Sequence, residues 1–471
     1  MNVKKIAMLG LFFLVSLGYS QQIALKKGEL EDGVQVRDSL SETFAIYLPT
    51  AFTEEKAWPV IFVFDPEGRG RSAALLFQEA AEQQGYIVAS SNNISKKDSL
   101  VTNLQVASRL LKTVFNFFPI DANRIYLAGF GEGGKVASAM PLVFNKVRGV
   151  ITVGDVWINT DYIKDGAGFS FIGVAGEKDF HLYQMQEVLS LLKKTQQFAR
   201  LYTFGGGYEW PGPQVLEKAV SAFTLRAMTQ NIIPRDTLLV NSLYQRQVNE
   251  EEKLRRKMQP YKAYEALENM KSDFAVFNKE DALNDLQKEI KKNTDYRKVR
   301  NRYREAAIKE SELKEEYEYF FNNDVVSAEF DNLGYWEEQM QELKKMQEGD
   351  NSANSEMAYR LQGLLTSWAR KTYQNLKKSH ASIDPLIFTS ILSTIFDKQD
   401  PAGYMQVISL SSLDGDIKTA LLYLEDLLKT GYKDEEALYS IPGTLELKMS
   451  PEFNALIKKY LGNSRYYDIG E

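Results

Sequence analysis

Residues 128–137 read Ala-Gly-Phe-Gly-Glu-Gly-Gly-Lys-Val-Ala and follow the short run Arg-Ile-Tyr-Leu. A mostly apolar run, a glycine-rich turn and an amphipathic continuation predict a strand, a tight turn and a helix. Gly129 and Gly133 match the outer positions of Gly-x-Ser-x-Gly, a turn that holds a nucleophilic oxygen above a sheet. The central residue is Gly131, which has no such oxygen. The segment therefore predicts the backbone of an active site without the atom that would attack a substrate.

The N-terminus, residues 1–20, is predicted to be a secretory signal peptide. Two lysines precede an apolar run at 6–17, and the small residues Gly18 and Ser20 suit cleavage before Gln21. The run is short for a membrane-spanning helix, and no later stretch is long and apolar enough to be one. We therefore expect no transmembrane segment after the signal is removed. The signal is typical of bacterial export, which predicts a protein in the periplasm, outside the cell or associated with the outer membrane.

Composition limits the chemistry. The chain has 471 residues, no cysteine, two histidines and a formal net charge of -6. The lack of cysteine excludes disulfides, thiolate catalysis and a lipid anchor on an N-terminal cysteine, so we expect the chain not to be a lipoprotein. Two isolated histidines argue against a transition-metal site, and no motif indicates a cofactor, so we expect neither. The charge includes no long block of one sign, which argues against a nucleic-acid partner.

The composition changes near residue 232. Residues 21–231 alternate apolar strands with helices, which predicts an α/β domain whose mostly parallel sheet is covered on both faces. The segment 232–240 is predicted to be a linker. Residues 241–471 are poor in glycine and carry apolar residues at spacings of three and four, which predicts an all-α domain.

Part of that second domain looks like a helical repeat. Residues 419–433 resemble a tetratricopeptide-type helix with its Gly-Tyr turn, and residues 442–453 resemble the segment that closes such arrays. A firm period of about 34 residues is not visible over the whole region. Because stacked helices form extended binding surfaces, we expect a protein partner there. Helices that only stabilise the first domain are the alternative.

The first domain resembles secreted bacterial α/β-hydrolases of the esterase type between residues 43 and 231. The matching segments, in chain order, are 47–49, 58–62, 64–66, 68–70, 91–93, 124–130 and 206–211. The resemblance implies an α/β-hydrolase fold, with a nucleophile, an acid and a histidine in that order along the chain.

The resemblance also shows what is missing. It places the nucleophile at Gly131, the acid at Asp179 and the histidine at Tyr208. A phenol with a pKa near 10 is a poor base at neutral pH and does not shuttle protons as imidazole does. Loss of either the nucleophile or the histidine alone costs several orders of magnitude in rate. We therefore expect a catalytically inactive hydrolase-like protein, a vestigial triad, and a role in binding or scaffolding in the bacterial cell envelope.

Two other readings stay open. Glu132 follows the nucleophile position; we expect its carboxylate to cap the next helix, and a catalytic role for it is the alternative. His181 stands near Asp179 and could join it in a non-standard catalytic set with Ser90 or Ser91, which would make the protein an esterase-type hydrolase. The second alternative is a structural subunit of an outer-membrane assembly. The residual pocket could also hold a small molecule or a glycan.

Overall fold

The computed structural model describes residues 25–37, 41–159 and 168–466. The predicted signal peptide, residues 1–20, lies outside these ranges. Within them, every helix is too short or too polar to cross a membrane.

The first part of the chain is built on one eight-stranded sheet. The strands are β1 (Leu30–Gln35), β2 (Thr43–Tyr47), β3 (Trp58–Phe64), β4 (Ile87–Ser91), β5 (Ile120–Phe130), β6 (Val147–Val153), β7 (Ser170–Gly176) and β8 (Ala199–Phe204). Their spatial order is β1-β2-β4-β3-β5-β6-β7-β8. β2 pairs antiparallel with both β1 and β4, whereas the other neighbours pair in parallel. β3 and β7 are buried along their whole length, as strands of a sheet covered on both faces should be.

Helices cover the two faces of this sheet. They are α1 (Gly70–Gln84), α2 (Leu100–Phe117), α3 (Glu132–Val143), α4 (His181–Lys194) and α5 (Pro213–Thr229). α1 and α5 pack on one face around Phe77 and Phe223. The other three pack on the opposite face around Val114, Met140 and Met185. The predicted α/β-hydrolase-type fold is confirmed, and we call residues 25–231 the sheet region.

The rest of the described chain is helical, which confirms the predicted all-α part. Its α-helices are α6 (Thr237–Arg256), α7 (Pro260–Phe274), α8 (Glu280–Lys292), α9 (Thr294–Ser327), α10 (Leu333–Glu348), α11 (Ser352–Lys378), α12 (Ile383–Phe396), α13 (Pro401–Leu413), α14 (Ile417–Lys429), α15 (Glu435–Tyr439), α16 (Leu445–Lys448) and α17 (Pro451–Leu461). We call residues 237–461 the helical region.

The connection between the two regions is shorter than the predicted linker 232–240. α6 already begins at Thr237, because the side chain of Asp236 accepts a hydrogen bond from the N–H of Leu239. An aspartate in that position satisfies an amide that the first turn of a helix otherwise leaves unpaired. The sequence Asp-Thr-Leu-Leu therefore starts a helix where the prediction had placed irregular chain.

Candidate functional site

The turn between β5 and α3 has the backbone of a nucleophile-bearing elbow. Gly131, at its centre, has φ 54° and ψ -124°, and its N–H donates to the carbonyl of Val153 at 2.9 Å. A Cβ on Gly129 would lie 2.1 Å from the carbonyl oxygen of Gly133, and a Cβ on Gly133 would lie 2.1 Å from that of Phe64. The two outer glycines are therefore required by close approach of backbone to backbone.

Tyr208 fills the space above that turn. A Cβ built on Gly131 would lie 2.5 Å from the Tyr208 hydroxyl oxygen. The Tyr208 ring packs against Phe130, with centroids 4.7 Å apart, and stacks on His181 at 4.6 Å with an interplanar angle of 25°. The hydroxyl thus occupies the place where the side chain of a nucleophile would begin.

The Tyr208 hydroxyl is held in its neutral form. Although the residue as a whole is half exposed, desolvation of the hydroxyl raises its pKa above the ordinary value, and the negative charges of Asp155, Asp179 and Glu132 raise it further. A group that keeps its proton this firmly does not accept one from a substrate or a nucleophile at neutral pH. The predicted loss of base chemistry at Tyr208 is therefore reinforced by its surroundings.

Asp179 is paired with a histidine, although not with one at position 208. It follows β7, is 2% exposed, and its Oδ1 accepts the backbone N–H of His181 at 3.0 Å. The same oxygen lies 2.7 Å from Nδ1 of His181, the first residue of α4. If Nδ1 carries the proton, Nε2 is left as the acceptor of a neutral imidazole. The other oxygen of Asp179, Oδ2, is buried and has no hydrogen-bond partner within the described ranges.

Further charges surround this pair. Nε2 of His181 lies 4.0 Å from Oδ2 of Asp155, which also pairs with Lys135 at 2.8 Å. Lys135 in turn pairs with Glu132 at 2.7 Å, three residues back on α3. Glu132 therefore makes an ion pair within the first turn of α3, in place of the predicted cap.

The idea that His181 acts with Ser90 or Ser91 is wrong. Both serines lie on β4, and three strands separate β4 from β7 in the sheet. Four strand spacings put the two strands about 19 Å apart, and the hydroxyl oxygen of Ser91 already accepts the N–H of Asn93 at 3.1 Å. The hydroxyl of Ser90 is also buried and donates to the carbonyl of Val63 at 3.2 Å.

Asp65 fixes the loop that carries Tyr208. This carboxylate follows β3, is 1% exposed, and accepts the indole N–H of Trp210 at 2.8 Å through Oδ2. Arg69 contacts both of its oxygens at 3.2 Å, and the N–H of Glu67 donates to Oδ1 at 2.9 Å. The loops after β3 and β8 are thereby tied together beside the elbow.

Replacing Asp65 should therefore destabilise the sheet region. We expect Asp65→Ala to lower the free energy of unfolding by about 2–3 kcal/mol, because several donors lose a buried acceptor at once. Urea unfolding followed by circular dichroism measures it. The control is Glu67→Ala in the same loop, which removes the exposed pair with Lys96 and should cost only about 0–1 kcal/mol. Equal losses in the two variants would contradict this role of Asp65.

The helical region contacts the loop that holds Asp179. Arg360 of α11 donates to the backbone carbonyl of Glu177 and forms a two-pronged pair with Glu310 of α9 at 2.7 and 2.8 Å. Tyr183 of α4 donates to the same carboxylate at 2.5 Å. The loop after β7 is therefore held from the helical region as well as from the sheet.

A second, partly buried cluster of charges joins the two regions beside the Arg360–Glu310 pair. Lys262 of α7 pairs with Glu177 and, at 2.9 Å, with Glu356 of α11. Tyr303 of α9 also donates to Glu356, at 3.1 Å. Glu177 thus pairs through its carboxylate with Lys262 and accepts a hydrogen bond from Arg360 through its backbone carbonyl.

Between this loop and α11 lies an open cleft of about 570 Å³, which we call the α11 cleft. Its lining includes Lys178, His181, Tyr208, Tyr359, Ser367 and Lys371. The cleft lies past the carboxyl ends of the parallel strands, where sheets of this kind bind their ligands. Its volume is in the range of small-molecule sites. It adjoins the Asp179–His181 pair, and sequence reasoning did not foresee its helical wall.

Comparisons with solved structures find proteins of similar fold that match less than half of this chain. An esterase from the archaeon Pyrobaculum calidifontis matches 43% of this chain and 87% of its own, at 12% identity and a TM-score of 0.35. S-formylglutathione hydrolase from Staphylococcus aureus matches 42% of this chain and 98% of its own, at 10% identity and 0.34. Est1E from Butyrivibrio proteoclasticus matches 40% of this chain and 95% of its own, at 13% identity and a TM-score of 0.34.

No protein-family model and no curated protein matches the chain. At identities this low, the structural relatives say nothing about substrate or activity. The class is therefore set by the strand order: an α/β-hydrolase-type sheet region followed by an all-helical region.

Proposed function

We propose that this protein is a catalytically inactive α/β-hydrolase-like protein that binds a ligand in the bacterial cell envelope. One observation carries the proposal: the place of the nucleophile is taken by the hydroxyl of Tyr208 above Gly131. Acyl transfer needs an activated nucleophile and a base within reach of it. Glycine supplies no nucleophile, and a phenol with a raised pKa supplies no base. Gly131, Asp179 and Tyr208 are then a vestigial triad.

The envelope location and the partner extend this proposal. The signal-like residues 1–20 support export across the inner membrane. The helical region, tetratricopeptide-like in 419–433, supports a protein partner, because stacked helices offer broad surfaces. The α11 cleft supports a small-molecule or glycan ligand.

A second function is favoured by one contact, the 2.7 Å approach of His181 Nδ1 to Asp179. A carboxylate that orients an imidazole is part of many hydrolytic sites. In this alternative, the pair would serve a non-standard esterase. Among the described residues, a nucleophile within reach of Nε2 is the missing part of that site.

Turnover of short acyl nitrophenyl esters separates the two functions. For the mature chain we expect the rate of the buffer alone, in the parent and in the Asp179→Ala and His181→Ala variants. Release of nitrophenol that both substitutions abolish would overturn the inactive reading and establish the alternative. Release that neither substitution changes would point to a contaminant, which repurification from a second expression host would remove.

A further inference from the structure

The α11 cleft has walls from both regions of the chain. Loop residues 178–181 and Tyr208 form one wall, and residues of α11 from Tyr359 to Lys371 form the other. The α11 residues stand at positions 359, 362, 363, 366, 367, 370 and 371, a spacing of three and four that places them on one helix face. Gly363 allows α11 to come close, since a Cβ there would lie 3.0 Å from Cδ1 of Phe180. The cleft is therefore shaped by the packing of the two regions.

Two tyrosines present ring surface to solvent on opposite walls. Tyr208 is 49% exposed and Tyr359 is 38% exposed. Exposed aromatic rings offer large, rigid and amphipathic contact area. Thr366 and Ser367 of α11 add hydroxyl groups to the lining. Flat apolar faces beside hydroxyl groups suit a sugar ring, which has an apolar face and a hydroxyl rim.

The cleft carries charges of both signs, and most of them already have partners. Lys178, Arg370 and Lys371 line it together with the carboxylates of Asp179 and Asp397. Arg370 is paired with Asp397 and Asp400, and the ammonium of Lys178 lies 4.3 Å from the Tyr359 ring centroid. Lys371 is exposed and makes no ion pair with any residue of the described ranges. The cleft suits an extended peptide less well, because such a peptide normally adds to a sheet edge or fills an apolar groove.

From these features we propose that the α11 cleft binds a carboxylate-bearing sugar, a uronate oligosaccharide, with its rings against Tyr208 and Tyr359 and a carboxylate at Lys371. This rests on the proposed binding function and names the ligand class for it. The carboxylate gains a charged hydrogen bond from the ammonium of Lys371. The sugar ring covers tyrosine surface that is otherwise open to water.

Calorimetric titration of the full mature chain with a short oligogalacturonate tests the proposal. The same oligomer with its carboxylates methyl-esterified is the paired probe. We expect the acid form to bind at least tenfold tighter than the ester. Lys371→Glu should weaken binding of the acid form at least tenfold, and Tyr359→Ala should weaken both forms.

Two control variants leave the cleft intact. Lys377→Glu changes an exposed lysine on the same helix, α11, and Tyr319→Ala removes an exposed tyrosine from α9. Both should bind like the parent, and circular dichroism confirms that all four variants fold. Absence of binding, equal binding of acid and ester, or equal losses in Lys371→Glu and Lys377→Glu would overturn the proposal. Preference for an acidic peptide over the oligogalacturonate would also overturn it.

Failure here is distinct from failure of the proposed function. Methanol released from the ester probe, lost in Asp179→Ala, would show catalysis and overturn the inactive reading. A chain that neither releases methanol nor binds either probe would overturn only the assignment of the ligand.

Discussion

Gly131→Ser is expected to lower the free energy of unfolding by about 2–6 kcal/mol. The new Cβ meets the Tyr208 hydroxyl at 2.5 Å, and the backbone there has φ +54°. Overpacking costs about 1–3 kcal/mol, and a strained backbone adds about 1–3 kcal/mol. In a Tyr208→Ala background only the backbone cost should remain, so a double-mutant cycle should give a coupling of about 1–3 kcal/mol between the two positions. Urea unfolding of the four proteins measures it.

Gly415→Ser is the control that separates the clash from the backbone strain. Gly415 has φ +86°, but a Cβ built there meets no atom within 4 Å. The substitution should therefore cost about 1–2 kcal/mol, the price of the left-handed backbone alone. No coupling between positions 131 and 208 would contradict the claim that Tyr208 occupies the nucleophile's place.

Arg360→Ala is expected to lower the free energy of unfolding by about 3–5 kcal/mol, because it leaves the carboxylate of Glu310 buried without its cation. The two side chains are each 11% exposed. The same change frees the backbone carbonyl of Glu177, so the loop that holds Asp179 should loosen. Urea unfolding measures the first effect, and amide hydrogen exchange over residues 177–183 measures the second.

Arg370→Ala, ten residues further along α11, is the matched control. Its side chain is 57% exposed and pairs with Asp397 and Asp400 at the surface. Exposed pairs of this kind contribute about 0–1 kcal/mol. If both variants lose the same stability, or if exchange over 177–183 stays unchanged in Arg360→Ala, the helical region does not hold the Asp179 loop.

The sheet region was largely predictable because its signals are local. Apolar runs bounded by turn residues marked most of the strands, and the glycines at 129, 131 and 133 marked the elbow. β1 was missed because Leu30–Gln35 contains Glu31, Asp32 and Gly33 and reads as a turn. A strand of that composition forms here by pairing with β2 at the edge of the sheet.

The site was predictable only in part. The sequence indicated which side chains were lost at Gly131 and Tyr208, but not that the Tyr208 hydroxyl would fill the space above the turn. That depends on the path of the loop after β8, which Asp65 fixes from a distant part of the chain. The helical wall of the cleft was likewise hidden, because Arg360 and Glu310 are fifty residues apart and read as ordinary charges on two helix faces. The buried Oδ2 of Asp179, without a partner in the described ranges, is equally invisible in the sequence.

The central claim is that the elbow presents no attacking atom, and intact-mass analysis after treatment with a fluorophosphonate tests it most directly. The Gly131→Ser, Tyr208→His double variant is the positive control, because its imidazole could donate to the vacant Oδ2 of Asp179 and restore a triad. We predict no added mass on the parent chain and an adduct at position 131 of the double variant. A stoichiometric adduct on a serine of the parent, lost in His181→Ala, would contradict the account.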